Sequence, residues 1–176
     1  MLAVSQEAFC HHLKILEKAY ERKMKFGLSV ETILKANGWT ENRSVDPTPW
    51  IQTINENGFE VTPDVEAFLK CFGGLQFTPP INPEGKYRPE ELSFSPTDPV
   101  CEFERVSYWE KKLNEVLCPV GAVFRRATLC IGESGAYYLI SDVGVYLAGE
   151  TLLDSMNCLI AASTKPTEVL PAPESE

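Results

Sequence analysis

Six prolines, Pro79, Pro80, Pro83, Pro89, Pro96 and Pro99, fall between Phe77 and Cys101. A proline inside a helix removes a backbone hydrogen bond and clashes with the preceding turn, so this stretch cannot be helical throughout. It divides the chain into two parts with different hydrophobic periods. Before it, apolar residues recur at steps of three and four, the period of a helix with one buried stripe. After it come short runs of β-branched and aromatic residues bounded by glycine turns, the pattern of hairpin-connected strands.

In the first part, Phe9, Leu13, Leu16, Tyr20 and Met24 form one stripe over about Ser5 to Met24. Ser29 is placed to cap a second helix carrying Val30, Ile33 and Leu34, which stops at Asn37-Gly38. Thr48-Pro49 and Thr62-Pro63 each offer a cap residue followed by proline at the first helical position, where its missing N–H does no harm. The helix after Thr48 is expected to reach Gly58 and bury Trp50, Ile51 and Ile54. The one after Thr62 presents Val65, Phe68, Leu69 and Phe72 and ends at Gly73.

In the second part, Leu75 to Thr78 and Glu91 to Phe94 read as strands on either side of the proline-rich loop. A short helix from Phe103 to Asn114 would turn Trp109 and Leu113 inward. Ala127 to Ile131 and Ala136 to Ser141, joined by Gly132-Glu133-Ser134-Gly135, read as a hairpin. Val145 to Leu147 is expected to be an edge segment, and Gly149 to Ala161 a last helix. Helices first and strands later make this an α+β chain. A single domain is expected over residues 1–162, with helices packed on a twisted, mostly antiparallel sheet, followed by a disordered tail over 163–176.

The chain has 176 residues and a formal net charge of −9, from 25 acidic against 16 basic side chains. A general nucleic-acid binder needs cationic surface to displace phosphate counterions, and anionic membranes need the same. Direct contact with either is therefore not expected, whereas a basic protein partner is compatible. No apolar run is long enough to span a bilayer and the N-terminus does not read as a signal peptide, which suggests a cytoplasmic protein. Cys10, Cys71, Cys101, Cys118, Cys130 and Cys158 include no Cys-x-x-Cys pair and read as reduced structural thiols. Asn42-Arg43-Ser44 is a formal glycosylation sequon, with no consequence without export.

Catalytic signals are weak. Gly132-Glu133-Ser134-Gly135-Ala136 approaches the G-x-S-x-G elbow, but that motif needs a helix after the serine, and a strand-like Tyr-Tyr-Leu-Ile run follows here. A serine nucleophile also needs a base, and the two histidines, His11 and His12, are adjacent on the first helical pattern. Neighbours on a helix point about 100° apart, so the pair is poorly set to share a metal ion. Cys71 sits in Phe68-Leu69-Lys70-Cys71-Phe72, where packing explains it. No phosphate-binding loop is present. No catalytic residue, metal or cofactor is expected. Trp39, Trp50 and Trp109 can be interface anchors or core residues, and the core reading is the commoner.

Binding has a better foothold. The stretch from Pro79 to Glu104 holds Glu84, Glu90, Glu91, Asp98, Glu102 and Glu104 against Lys86 and Arg88, a local charge of −4. Long loops in compact domains often carry function, although a solvated insertion with no partner is the plain alternative.

Ala36-Asn37-Gly38-Trp39-Thr40-Glu41-Asn42-Arg43-Ser44-Val45, with Trp50 following, resembles the start of the third subgroup of the SUKH superfamily of immunity proteins. The resemblance continues in order through Phe68-Leu69-x-x-Phe72-Gly73-Gly74-Leu75, Phe94, Pro119-Val120-Gly121, Gly135 with Tyr137 or Tyr138, and Leu147 to Ile160, covering roughly residues 33 to 160. Asn42 stands where the family's Trp-x-x-Gly-Arg pattern usually has glycine. Trp39, Arg43, Phe68, Phe72, Gly73, Gly74, Leu75 and Gly121 are expected to be structural, with Gly73 supplying a positive φ at the helix end and Gly74 a close exit for the first strand.

The resemblance implies a helix-flanked twisted sheet and a function of binding a cognate polymorphic toxin, many of which are nucleases with basic substrate sites. Glu90, Glu91, Asp98, Glu102 and Glu104 are then the candidate toxin-binding residues. The rival readings are a scaffolding or regulatory interaction domain, which the wider superfamily also contains, and a small hydrolase using Ser134 or Cys71.

Overall fold

The structure, a computed structural model, describes residues 28–98, 101–124 and 126–172. The helical stripe expected over Ser5 to Met24, with Cys10, His11 and His12, lies outside these residues. Three helices come first: α1 (Leu28–Ala36), α2 (Thr48–Glu56) and α3 (Pro63–Phe72). The strands β1 (Gln76–Phe77) and β2 (Leu92–Ser93) follow, then α4 (Phe103–Leu113) and β3 (Leu117–Val123). The chain continues through β4 (Ala127–Gly132), β5 (Tyr137–Ser141), β6 (Gly144–Gly149), α5 (Leu152–Leu159) and β7 (Thr167–Pro171). The seven strands form one antiparallel sheet in simple sequence order, β1 to β7, so the architecture is α+β with helices before and after most of the sheet.

The helix boundaries follow from local chemistry. Thr62 caps α3: its hydroxyl accepts from the Val65 N–H at 3.4 Å, with Pro63 as the first helical residue. At α2 the expectation of a Thr48 cap is corrected. Thr48 is already helical, and the Asp46 carboxylate accepts both its N–H at 3.0 Å and its hydroxyl at 2.6 Å. A carboxylate two residues upstream meets the positive helix start better than a hydroxyl does. Ser29 likewise lies inside α1 and does not precede it.

Packing centres on α3. Val65, Phe68, Leu69 and Phe72 are fully buried, as their spacing predicts. The Phe68 ring meets Phe94 edge-on at 5.4 Å and tilts against Phe72 at 5.2 Å and Tyr137 at 6.0 Å. Such pairs add roughly 0.5–1.5 kcal/mol each beyond the area they bury. Trp39 stacks on Phe72 at 6.2 Å, and Trp109 is buried with its indole N–H donating to the Ser141 carbonyl. Trp50 and Ile51 are only half-buried at the core margin, and so is Leu113.

Two further expectations are corrected. Val145 to Leu147 is not an edge: β6 spans Gly144–Gly149 and pairs with β5 on one side and β7 on the other. The segment after Ser163, expected to be a disordered tail, carries β7, whose Leu170 pairs with Val145. The hairpin of β4 and β5 forms as its turn predicts, with Ile131 opposite Tyr137 and Gly135 at φ +84.

Candidate functional site

Several of the residues that carry the family resemblance meet at one corner of the fold, at the end of α3. Arg43 reaches across from the loop after α1. Its guanidinium donates to the Cys71 carbonyl at 3.0 Å and the Gly73 carbonyl at 2.8 Å. These carbonyls belong to the end of α3, where backbone acceptors have no partner within the helix and where the dipole favours a cation. Burial lowers the Arg43 pKa from its ordinary value, yet a guanidinium stays charged there.

The two glycines at this corner have exchanged the roles expected of them. Gly73 has an ordinary φ of −49. It must be glycine for want of space, because a Cβ would lie 2.4 Å from the Leu69 carbonyl oxygen and 2.4 Å from Cζ3 of Trp50. Gly74 carries the left-handed φ, at +79, and its N–H donates to the Phe94 carbonyl at 2.9 Å as the chain leaves for β1. Gly121 is a third spatial requirement, since a Cβ there would lie 2.3 Å from the Ser93 carbonyl oxygen. Trp39, Phe68, Phe72 and Leu75 are buried beneath the corner.

The proline-rich stretch is not a free excursion. It is interrupted by β2 and tied down at and just beyond the end of α5. The Asn82 amide donates to the Ala161 carbonyl at 2.8 Å, the Lys86 N–H to that of Ala162 at 2.7 Å, and the Tyr87 hydroxyl to that of Cys158 at 2.6 Å. Burial raises the Tyr87 pKa, so this donor keeps its proton.

The five candidate acidic residues fall into two groups on these elements. Glu90 is exposed and Glu91 half-buried just before β2, and Glu91 accepts from the Gln76 amide at 2.8 Å. Asp98 lies in the turn before α4, where its carbonyl accepts the Cys101 N–H. Glu102 stands at the cap position of α4 and Glu104 in its first turn. Glu102 pairs with Arg105 at 3.0 Å, and Arg105 also reaches Asp142 at 3.1 Å. Glu102 and Glu104 thus complement the positive start of α4 as well as facing solvent, worth roughly 0.3–1 kcal/mol each when exposed.

Around the hairpin turn lies a second polar cluster that the sequence reading did not isolate. Glu115 accepts from the Ser134 N–H at 3.2 Å, from the Ser134 hydroxyl, and from the Tyr138 hydroxyl at 2.6 Å. Burial would raise the Glu115 pKa, but these donors outweigh it and hold the carboxylate below its usual range. Burial first, and then the Glu115 bond, push Tyr138 up to about 12. Gly132 makes room for the carboxylate: a Cβ there would sit 2.1 Å from Glu115 Oε1. A strand follows Ser134, not a helix, so the turn does not build a nucleophile elbow.

The remaining groups suit packing. Cys101, Cys118, Cys130 and Cys158 are buried free thiols; burial pushes Cys101 and Cys118 up to about 12 and Cys130 well above its usual value. A thiol so raised is a poor nucleophile. Cys71 is half-buried on α3. Among the described residues, no cluster of three His, Cys, Asp or Glu could hold a metal ion, and no helix is long and apolar enough to cross a membrane.

On the other side of the hairpin turn, a groove of about 430 Å³ opens between the start of α3, the turn and the start of α5. Ile131, Tyr137 and Leu152 line it together with the carboxylates of Asp64 and Glu150.

No curated protein and no solved structure matches the chain. The family described as SUKH-3 immunity protein matches residues 26–162, which takes in the Arg43 corner, the tethered proline-rich segment and the sheet through β6 and α5. The match extends over most of the chain and both sides of the proline-rich segment, and on that footing the chain belongs to the SUKH-3 immunity protein family.

Proposed function

We propose that this protein neutralises a cognate polymorphic toxin in the cytoplasm by direct binding, without turnover, and that the toxin is a nuclease. Family membership supports immunity. The observation that favours a nuclease is the charge balance, 25 acidic against 16 basic side chains. A nuclease must hold phosphates on a basic surface, and an acidic inhibitor is drawn to that surface quickly and in a salt-dependent way. Occupying it denies the substrate entry. A complex of ordinary size would bury on the order of 1,600 Å².

The acidic stretch, with Glu90, Glu91, Asp98, Glu102 and Glu104, is the proposed contact surface. Co-expression with the toxin encoded beside its gene is the direct test of neutralisation, read as restored growth. The contact surface is tested with the Glu90→Lys, Glu102→Lys, Glu104→Lys variant, using side chains that point to solvent. Association measured by stopped flow at low salt should slow by roughly tenfold or more, the scale of electrostatic steering. Melting should fall only by the few degrees that the α4 dipole and the lost Glu102–Arg105 pair account for. An unchanged association rate removes this surface from the interface.

A further inference from the structure

We infer that the groove between α3, the β4–β5 turn and α5 receives an arginine side chain of the bound protein. The inference rests on the toxin-binding reading and adds a specific contact to it. The groove holds about 430 Å³, more than one extended side chain needs, and its lining combines Ile131, Tyr137 and Leu152 with the carboxylates of Asp64 and Glu150. No lysine or arginine is among the described residues that line it. Asp64 and Glu150 have no hydrogen bond or ion pair to another described residue, unlike Glu115 on the far side of the turn, whose carboxylate is filled by Ser134 and Tyr138.

The sign of the charge needs deciding, because two helices begin at this groove. A helix start carries roughly half a positive charge, so α3 and α5 together supply about +1. Asp64 and Glu150 in the lining supply two negative charges, and Asp154, outside the lining in the first turn of α5, adds a third nearby. One N–H at each helix start is also taken by its cap, Val65 by the Thr62 hydroxyl and Asp154 by the Thr151 hydroxyl. The groove therefore selects a cation. Its apolar floor selects the kind. A guanidinium is planar and weakly hydrated, lies flat on apolar and aromatic surface, and offers a fork of donors to a carboxylate, whereas an ammonium is a compact, strongly hydrated charge.

The test uses the full chain, labelled with ¹⁵N and titrated with acetyl-Gly-Arg-Gly-amide, its lysine analogue and its citrulline analogue, a near-neutral copy of the same shape. Saturable shifts at the amides of Gly135, Leu152 and Leu153, strongest for arginine and at least tenfold weaker for citrulline, are expected. The Asp64→Asn, Glu150→Gln variant should weaken arginine-peptide binding at least tenfold while its urea midpoint stays near wild type. Equal binding of arginine and citrulline, absence of shifts at the groove, or an indifferent double variant would each overturn the inference. A second arm measures the double variant against the neutralised toxin. A loss of affinity of at least tenfold supports the groove as part of the interface; wild-type affinity overturns it and leaves neutralisation intact. Failure of the wild-type chain to bind any neighbouring toxin overturns the toxin-binding reading, and the groove's role in it.

Discussion

An alanine at Gly73 must place its Cβ where two groups already stand, 2.4 Å from the Leu69 carbonyl oxygen and 2.4 Å from Cζ3 of Trp50. Each contact is about 1 Å too short, and one partner is helix backbone that cannot swing away. Overpacking of this kind costs roughly 1–3 kcal/mol. Relieving it shifts Gly73 away from two bonds, its own N–H to Leu69 O at 2.8 Å and the Arg43 guanidinium to its carbonyl at 2.8 Å. Weakening one neutral and one charge-assisted bond brings the total to about 3 kcal/mol or more. An alanine at Gly74 meets only ordinary contacts, 3.4 Å and 3.5 Å to Trp50, and suffers instead from φ +79. That conformation costs an L-residue roughly 1–2 kcal/mol, and asparagine less. The expected order of cost is therefore Gly73→Ala, then Gly74→Ala, then Gly74→Asn. Urea unfolding followed by tryptophan fluorescence gives the differences from the midpoints at a common slope. In melting temperature, Gly73→Ala should fall by about 6–12 °C, at roughly 2–4 °C per kcal/mol for a domain of this size. A Trp50→Ala background should reduce the Gly73→Ala penalty without abolishing it, because the Leu69 contact remains. If Gly74→Ala costs more than Gly73→Ala, or Gly73→Ala costs under about 0.5 kcal/mol, the spatial account of this corner is wrong.

Two other predictions concern polar clamps. Arg43→Met keeps the aliphatic stem but strips donors from the Cys71 and Gly73 carbonyls, and should cost about 2–4 kcal/mol in urea unfolding; Arg43→Lys should recover less than half, since one ammonium does not reproduce the fork. A Lys variant equal to wild type would show that only the charge matters. Glu115 has a lowered folded pKa, so the stability from its charge is fully present above the unfolded value of about 4.3 and is lost as pH falls through the folded value. The stability gap between wild type and Glu115→Gln should therefore be widest near pH 7 and narrow below about pH 4. A gap that stays constant from pH 7 to pH 3 would rule the carboxylate's charge out as its source.

What the sequence made legible is what depends on local pattern. The α3 stripe, its Thr62-Pro63 start and the β4–β5 turn are each set by residues within a few positions of one another. The element missed altogether is β3, the strand between β2 and β4, in which every residue is buried. Pro119 and Gly121 hide it, because proline removes a ladder donor and glycine weakens a strand. The structure accommodates both at one irregularity, where the register shifts between Pro119 and Gly121. The full extent of β6 and the existence of β7 were missed for a different reason. Thr167 to Pro171 has weak alternation of its own and becomes a strand by pairing with Val145, a long-range contact no local window contains. The glycine exchange at the α3 corner is partly of the same kind: a helix stop was readable, but the room that Gly73 needs depends on Trp50, some 23 positions away, as well as on the nearby Leu69 carbonyl. Asp64 and Glu150 escaped notice because only the fold brings the starts of α3 and α5 to one groove.

The division of labour between the two sets of residues constrains where recognition can occur. Trp39, Phe68, Phe72 and Leu75 are buried, so a toxin could reach them only by opening the core, and the half-buried Arg43 already spends its guanidinium on backbone carbonyls. These five residues are thus poorly placed to choose a partner. The proposed contacts are side chains whose replacement leaves the corner alone, a requirement the exposed carboxylates meet. They differ in cost, however. Glu91 is bonded to Gln76, and Glu102 is paired with Arg105, so each would give up an internal partner to a toxin. Glu90, Glu104, Asp64 and Glu150 have no such bond to another described residue. A basic partner gains most where desolvating a carboxylate breaks nothing already made. On that argument, the proposed recognition would draw most on the groove carboxylates, Glu90 and Glu104, and less on Glu91 and Glu102, which already hold internal partners.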